Sequence, residues 1–269
     1  MNAQELICPV CKAPLSIAEN GKSLCCAGER THNFDISRAG HINLAGGGYS
    51  SASGDCAEMV RARIDFLERG HYSFLAEKLA SYVSGVCVDA GCGNGYYSEH
   101  LMGAERVYAF DLSKSAVEYG AKKARREGRN CVFAVSSIYS MPMADNSADS
   151  IISVFAPCAE AEFARVLKNG GRLIVAAAAP EHLKELKSVL YETVTENTER
   201  ADLPQGFSLV KKERISKTET LGADAIKALY LMTPYSRKTS REAAERLFAL
   251  NALDVTFSFD VFVYTKEQV

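Results

Sequence analysis

The segment Val88-Asp89-Ala90-Gly91-Cys92-Gly93-Asn94-Gly95-Tyr96 contains three glycines at alternate positions and continues a short apolar stretch that predicts a strand. Glycines at a strand-to-helix junction let the backbone approach a ligand closely, and in a parallel sheet these junctions lie at the carboxyl edge, where α/β folds bind ligands. The next predicted strand ends at Asp111, 20 residues after Gly91. An acid at that position usually hydrogen-bonds a ribose hydroxyl. The segment therefore predicts a pocket for a cofactor that contains a nucleoside.

The glycine spacing and the acid before it favour S-adenosylmethionine over a dinucleotide. The pattern here is Gly-x-Gly-x-Gly, whereas a dinucleotide pyrophosphate is held by Gly-x-Gly-x-x-Gly at a helix N-terminus. A carboxylate before the glycines would repel a pyrophosphate but attract the amino group of a methionyl moiety. A tight turn would also account for the glycines, but not for the two acids. We therefore predict cofactor contacts from Asp89, Gly91, Gly93, Gly95 and Asp111.

Predicted strands and helices alternate along most of the chain. The strands are predicted at residues 86–89, 106–111, 130–135, 148–155, 172–178, 207–220 and 253–265. The helices are predicted at residues 72–83, 96–102, 113–127, 159–167 and 181–199, with an earlier one from an N-cap at Asp55 to Gly70 and a helical insert between the last two strands. This alternation predicts a mostly parallel sheet covered by helices on both faces.

A cysteine cluster near the N-terminus predicts a metal site. Cys8-Pro9-Val10-Cys11 is a C-x-x-C pair, Cys26 follows after 14 residues and His32 after five more. Two ligand pairs separated by a hairpin-sized loop can close a tetrahedral Zn²⁺ site, and four ligands indicate a structural ion. From spacing alone, Cys25 competes with Cys26 for the third position. Buried cysteines beside a surface histidine are the alternative, and a redox pair is disfavoured because no strand–helix unit carries it.

The chain divides by composition into three parts. Residues 1–45 are rich in cysteine and too short to bury a core without a staple, so we expect a zinc-binding domain there. Residues 46–84 are expected to form a glycine- and serine-rich linker and two helices, and residues 85–269 the domain that binds S-adenosylmethionine. No run of 18 apolar residues and no signal-peptide pattern occurs, so we expect a cytoplasmic protein without a membrane segment.

Charge alone does not indicate a nucleic-acid partner. The formal net charge is −2 among 269 residues, so RNA binding would need local basic patches. The candidate patches are residues 122–129, the pair Arg61 and Arg63, and the group Arg237, Lys238 and Arg241. Runs of this kind also occur on ordinary solvated helix faces.

Several further motifs resemble two nested families. Asp149-Ser150-Ile151-Ile152 and Leu167-Lys168-Asn169-Gly170-Gly171, in order after the glycine loop, resemble class I methyltransferases over residues 85–265. The chain also resembles the 23S ribosomal RNA guanine-N1 methyltransferase family nearly end to end. The segments that carry this second resemblance are residues 26–35, 40–44, 54–63, 70–72, 155–158 and 232–235. His41 departs from that pattern, in which an aromatic residue often follows the glycine.

The resemblance implies a fold, a reaction and a set of residues. The implied fold is α/β, a Rossmann-like class I methyltransferase with a mostly parallel seven-stranded sheet and a small N-terminal zinc-binding domain. The implied reaction is methyl transfer from S-adenosylmethionine to N1 of a guanine in a 23S rRNA hairpin, and a homodimer is left open. The implied ligands are Cys8, Cys11, Cys26 and His32 for zinc, and Tyr72, Gly93, Asn94 and His182 for the cofactor.

The sequence leaves several functional roles open. Guanine N1 carries a proton, and Asp55 or Glu58 could accept it, although either could instead be a helix cap or a solvated side chain. Phe155 or Tyr235 could stack on an extruded guanine. His71, Tyr72 and His182 could serve packing alone. The competing functions are a small-molecule methyltransferase and a non-catalytic zinc RNA-binding protein.

Overall fold

The computed structural model describes residues 3–46, 56–198 and 204–267. The strands in these ranges are β1 (Leu15–Ile17), β2 (Ser23–Cys26), β3 (Asn33–Asp35), β4 (Ile42–Asn43), β5 (Gly85–Ala90), β6 (Ala104–Asp111), β7 (Cys131–Val135), β8 (Ala148–Val154), β9 (Leu167–Ala178), β10 (Phe207–Gly222) and β11 (Ala252–Lys266). The α-helices are α1 (Ala57–Glu68), α2 (Ser73–Ala80), α3 (Tyr96–His100), α4 (Lys114–Arg126), α5 (Glu160–Val166), α6 (Lys184–Leu190), α7 (Ala223–Met232) and α8 (Arg241–Phe248), and a 3-10 helix spans Pro234–Arg237.

Eight strands form the main sheet in the order β10-β11-β9-β8-β5-β6-β7-β4. The six strands β9-β8-β5-β6-β7-β4 are parallel to one another. Strand β11 pairs antiparallel with both β9 and β10. The strand order reverses between β5 and β8, which is the topological switch point where α/β sheets bind ligands. All seven strands predicted from the sequence lie in this sheet, and the prediction of a mostly parallel sheet is therefore confirmed. The two-residue strand β4, which we did not predict, adds an eighth strand beside β7.

The N-terminal segment covers one face of the main sheet. Residues 136–147, all of them described, connect β7 to β8 without a helix, although a crossover between parallel strands usually carries one that covers the sheet. Leu6, Leu24 and Ile42 are fully buried in the same hydrophobic core as Tyr108 of β6. Because parallel sheets need both faces covered, the small sheet β1-β2-β3 and its flanking residues supply the missing cover.

Polar contacts fix the N-terminal segment to the sheet. Glu5 accepts from Nη1 of Arg106 with both carboxylate oxygens, at 2.6 and 2.7 Å, and accepts from the hydroxyl of Tyr108 as well. The backbone N–H of Ile7 donates to the carbonyl of Pro142 over 3.0 Å. The Glu5 and Arg106 side chains are each 16% exposed, so water screens this ion pair weakly.

Two predicted helix boundaries were wrong. The helix predicted at residues 181–199 is α6, Lys184–Leu190, because the side-chain amide of Asn197 donates to the carbonyl of Ala179 over 2.8 Å and folds the following segment back. Helix α1 has Cys56 rather than Asp55 at its N-cap, and Asp55 itself lies outside the described residues. None of the helices that the structure describes has the length and apolar character needed to span a bilayer.

Candidate active site and metal centre

The glycine loop leaves β5 with its backbone folded towards β6. Gly91, Gly93 and Gly95 all have positive φ angles, 83°, 52° and 79°, which glycine adopts without a steric penalty. A Cβ atom on Gly95 would lie 2.5 Å from the ring of Phe133, so no larger residue fits there. A Cβ atom on Gly93 would meet no atom of the described chain within 4 Å, so the loop borders open space at this position.

Asp111 holds the loop and the next helix together. Its Oδ2 accepts from the backbone N–H of Gly93 over 2.9 Å, and its Oδ1 accepts from the N–H of Ser113 over 2.7 Å. These bonds fix the carboxylate at the carboxyl end of β6. Each carboxylate oxygen can accept more than one hydrogen bond, so Asp111 can still accept from the hydroxyls of a ribose.

Asp89 is a buried carboxyl at the end of β5, 1% exposed. The hydroxyl of Ser98 donates to its Oδ2 over 2.6 Å. Burial, against the opposing effect of the Ser98 hydrogen bond and with a contribution from the charge of Asp111, raises the pKa of Asp89 to about 7. A buried carboxyl of this kind is stabilised in its charged form when a cationic group approaches it.

The residues around the loop fit a ligand with both polar and charged groups. Asn94 is 3% exposed, and its Nδ2 has no hydrogen-bond partner within the described ranges. An unpaired buried donor costs free energy, which a ligand with an acceptor would recover. The open space at Gly93, the free donor of Asn94 and the buried acid Asp89 together suit S-adenosylmethionine, which has acceptors and one protonated amine.

An aromatic cluster borders the same edge of the sheet. Tyr72 is 4% exposed and lies edge-on to Phe259 with ring centroids 4.9 Å apart. The His182 ring lies 4.7 Å from that of Phe259 and 6.3 Å from that of Tyr72. The predicted residues Tyr72 and His182 are therefore brought together, although they are distant in sequence.

His182 is neutral and its tautomer is defined. The backbone N–H of Ser258 donates to Nδ1 over 3.2 Å, so the ring proton is on Nε2. Burial, with a smaller contribution from the nearby charge of Lys187, lowers the pKa of His182 to about 3. His182 can therefore donate a hydrogen bond from Nε2 but is too weak a base to take up a proton near neutral pH.

The four predicted metal ligands form one cluster. The thiol and imidazole ligand atoms of Cys8, Cys11, Cys26 and His32 all lie within 4.8 Å of one another. Cys11 Sγ is 3.6 Å from Cys26 Sγ, and His32 Nδ1 is 3.6 Å from Cys8 Sγ and 3.4 Å from Cys26 Sγ. Ligands about 2.3 Å from a tetrahedral zinc ion lie about 3.8 Å apart, so the cluster fits Zn²⁺.

The local backbone prepares this cluster. The N–H of His32 donates to Cys26 Sγ over 3.1 Å, and this bond lowers the pKa of Cys26 to about 6, with a further contribution from the backbone at Gly28. A Cβ atom on Gly28 would lie 2.9 Å from Cys11 Sγ, so glycine is required there. Cys25 lies outside the cluster, and its thiol donates to Asn33 Oδ1 over 3.1 Å.

The two hypothesised proton acceptors are placed differently. Glu58 is exposed on the first turn of α1, and Asp55 lies outside the described residues. His71 is a packed residue, because its ring stacks on Phe66 with centroids 4.5 Å apart and its Nδ1 lies 3.0 Å from Glu219 Oε1.

Much of the basic patch at residues 122–129 is engaged in internal contacts. Lys123 Nζ lies 2.5 Å from Glu68 and 2.7 Å from Glu99, and Arg125 donates to the carbonyl of Arg38 over 2.9 Å. These bonds tie α4 to α1, α3 and the N-terminal segment.

The second and third basic patches lie on α1 and at the 3-10 helix after α7. Arg61, Arg237 and Lys238 are exposed. Arg63 is partly buried and donates to the carbonyl of Met232 over 3.3 Å, which links α1 to the end of α7.

Two residues that hold the predicted site residues in place, Ser98 and Gly28, were not identified from the sequence. Ser98, which fixes Asp89, lies on the third position of α3, and Gly28 leaves room for Cys11. No spacing rule points to Ser98, because its relation to Asp89 arises from the packing of α3 on β5. Gly28 could have been noticed as a glycine two residues after a predicted ligand.

Two family descriptions match different parts of the chain. The methyltransferase domain family matches residues 88–175, and the family described as RlmA, N-terminal, a zinc ribbon, matches residues 6–45. Among solved structures, the YcgJ protein of Bacillus subtilis is 18% identical and superposes with a TM-score of 0.50, covering 74% of this chain and 99% of its own. That likeness concerns the fold.

Curated relatives are similar over nearly the whole chain. A putative 23S rRNA (guanine-N1) methyltransferase of Bacillus subtilis, YxjB, is 30% identical and covers 96% of each chain. The 23S rRNA (guanine(748)-N1)-methyltransferase of Streptomyces fradiae is 32% identical and covers 94% of each chain. Both alignments therefore include the glycine loop together with most of the segment that contains the cysteine cluster.

Proposed function

Because this chain belongs to the family of 23S rRNA (guanine-N1) methyltransferases, we propose that it transfers a methyl group from S-adenosylmethionine to N1 of one guanine in 23S rRNA. Membership confirms the expected class I methyltransferase fold with an N-terminal zinc ribbon, and it confirms the two expected cofactors, S-adenosylmethionine and a structural zinc ion. The observation that carries the proposal is the similarity over nearly the whole chain, since it joins the zinc ribbon to the methyltransferase domain in one protein.

We assign the cofactor contacts from the geometry of the sheet edge. The buried carboxylate of Asp89 would receive the protonated amino group of the methionyl moiety, and Asp111 the ribose hydroxyls. Gly93 and Asn94 would line the loop side of the pocket. Gly91 and Gly95 would act indirectly, because their positive φ angles shape the loop.

Tyr72 and His182 complete the proposed cofactor site. Both side chains are buried beside the same ring of Phe259, and the proton on Nε2 of His182 is available to an acceptor on the ligand. A neutral donor of this kind can hold a carboxylate or a base carbonyl without a change in its own charge.

We assign zinc to Cys8, Cys11, Cys26 and His32. The fit of their spacing to a tetrahedron and the lowered pKa of Cys26 support this set, and the hydrogen bond from the Cys25 thiol to Asn33 supports Cys26 over Cys25 as the third ligand. The ion would have a structural role, because all four positions are taken by the protein.

Methyl transfer requires the protein to align the acceptor nitrogen with the methyl group more than to activate the methyl donor. S-adenosylmethionine supplies a methyl group on a sulfonium, which is already a strong electrophile. The protein would hold guanine N1 in line behind that carbon, where the new bond from N1 would replace the bond to sulfur, with a neutral thioether as the leaving group. The N1 proton must leave to an acceptor, for which Asp55 and Glu58 are the candidates. His182 is excluded by its low pKa.

The proposed RNA surface comprises the exposed basic residues near this edge of the sheet. Arg61, Arg237 and Lys238 would contact phosphates, which position an RNA without reading its bases. We propose a hairpin as the target, because a loop base can be extruded at small cost. A cytoplasmic location would follow from an rRNA substrate.

The decisive experiment uses labelled cofactor. The protein is incubated with purified large-subunit RNA and, separately, with a metabolite extract, and the RNA is then mapped by reverse transcription. N1-methylguanine blocks base pairing, so we expect one strong stop at a single guanine and no label in the extract. Label in the extract alone would replace this proposal with a small-molecule methyltransferase, and no label in either would favour a non-catalytic protein.

A further inference from the structure

Phe155 has a backbone conformation that a residue with a side chain rarely adopts. Its φ angle is 53°, in the left-handed region, although it is not a glycine. Such a conformation costs free energy and persists where the surrounding structure enforces it, often at functional sites. Its backbone N–H donates to the carbonyl of Ala176 over 3.1 Å, so the strain occurs at the point where β8 leaves the sheet.

The strained backbone presents an exposed aromatic ring. Phe155 is 49% exposed, whereas the neighbouring rings of Tyr72 and Phe259 are buried. Its ring lies 6.5 Å from Tyr72, 5.5 Å from Phe259 and 6.5 Å from His182, with an angle of 26° to the His182 ring. Two of these three neighbours are proposed cofactor contacts, so one face of the ring borders the reaction site while much of it remains open.

Tyr235, the other aromatic candidate for contact with the base, differs in both respects. It lies in a 3-10 helix with an ordinary backbone, and its ring packs edge-on against Tyr191 with centroids 6.2 Å apart. Burial raises the pKa of the Tyr235 phenol. Tyr235 is therefore already partly covered, and Phe155 has the larger free surface.

We infer that Phe155 is the stacking platform for the target guanine, holding the base in line with the methyl donor. This inference rests on the proposed function and adds the residue that positions the base. A flat, apolar ring next to the cofactor pocket matches the face of a purine. Stacking of the base would bury this exposed ring, and the burial of its apolar surface would stabilise the complex.

Two substitutions of Phe155 distinguish stacking of an aromatic ring from simple filling of space by an apolar side chain. In F155Y the flat ring is retained, and in F155L an apolar side chain of similar reach is retained without a π face. We expect F155Y to keep kcat/KM for RNA within about threefold and F155L to lose about ten- to hundredfold, since stacking on one base has that magnitude. The cofactor Kd, measured by calorimetry, should change less than twofold in either variant.

A spectroscopic signal tests the contact directly. Once the methylated guanine is mapped, 2-aminopurine is placed at that position in the hairpin RNA. Stacking quenches its fluorescence, so the complex with F155L should be brighter than the complex with wild-type protein, and the complex with Y235L should not.

The outcomes distinguish this inference from the proposed function. If wild-type protein methylates RNA and F155L does so equally well, the inference about Phe155 fails and the function stands. A parallel loss of cofactor affinity and thermal stability in F155L would also overturn it, because it would mean that the ring serves packing. If wild-type protein does not methylate rRNA, both fail.

Discussion

The hydroxyl of Ser98 donates to the carboxylate of Asp89 over 2.6 Å, joining the two sides of the glycine loop. Asp89 is the penultimate residue of β5 and Ser98 lies on α3, so this bond links the strand before the loop to the helix after it. The same bond makes the Asp89 carboxylate less unfavourable in a buried position, and it fixes the direction in which the carboxylate faces an incoming amine.

Cofactor affinity should depend on pH through Asp89. Its pKa of about 7 in the free protein means that much of it is protonated below neutrality, and the protonated form cannot pair with an ammonium group. Affinity for S-adenosylmethionine should therefore fall as pH decreases below about 7, approaching tenfold per unit. Calorimetry between pH 5.5 and 8 would measure this, with Asp89→Asn expected to bind weakly and without that slope. A flat profile in the wild-type protein would contradict the assignment.

The raised pKa of Asp89 affects the stability of the free protein in the opposite direction, because this stability decreases as the pH rises. The pKa of Asp89 is about 7 in the folded protein and 3.8 ordinarily. Between these pH values the native state therefore binds a proton that the unfolded state has lost. The contribution of Asp89 to the stability of the free protein therefore declines as pH rises from about 4 to about 7. Bound cofactor should remove that decline, because its amine stabilises the carboxylate.

The sequence predicted the parts of the fold that depend on local patterns. Apolar runs and glycines located β5 to β9, and the spacing of the cysteines anticipated the convergence of Cys8, Cys11, Cys26 and His32. Strand β4 was missed because two residues have no detectable period, and its partner β7 is about 90 residues away in the chain. The premature end of α6 was missed because tertiary hydrogen bonds from Asn197 override helix propensity.

Substitution of the two adjacent cysteines should separate metal binding from packing. Cys26→Ser should lose stoichiometric zinc, whereas Cys25→Ser should retain it, because only Cys26 points into the cluster. Since the ribbon covers a face of the main sheet, loss of zinc should also lower the unfolding temperature of the whole chain. Metal analysis and calorimetry measure both quantities. Equal zinc content in the two variants would show that the ligand set is wrong.

The ion pair between Glu5 and Arg106 should contribute more to the free energy of unfolding than an exposed ion pair does. Both side chains are 16% exposed, and Glu5→Ala would leave the arginine without its charge partner. We expect a loss of about 3 kcal/mol in the free energy of unfolding. Asp65→Ala is the matched control, because its pair with Arg69 is exposed and should contribute about 0–1 kcal/mol. Equal effects in denaturant titrations would mean that the N-terminal segment is not fixed through this pair.

Substitutions at Asp55 and Glu58 should identify the proton acceptor. At saturating cofactor and RNA, removal of a general base should lower kcat by about a hundredfold or more, and the loss should be smaller at high pH, where guanine N1 deprotonates without help. Asp55→Asn and Glu58→Gln are compared with Asp65→Asn, an exposed acid on the same helix as Glu58. Wild-type rates in both variants would remove both residues from the mechanism.

RNA affinity should depend on the exposed basic residues of α1 and the 3-10 helix, and far less on α4. Removing one side chain that pairs with a phosphate should reduce the slope of log affinity against log salt by about 0.7 to 0.9. We therefore expect Arg61→Ala and Arg237→Ala each to weaken RNA binding and flatten that slope, while leaving cofactor affinity unchanged. Arg126→Ala is the control, because this exposed arginine on α4 pairs with Glu127. If the control weakens binding as much as the other two, the RNA surface extends over α4, and the proposed position of the hairpin is wrong.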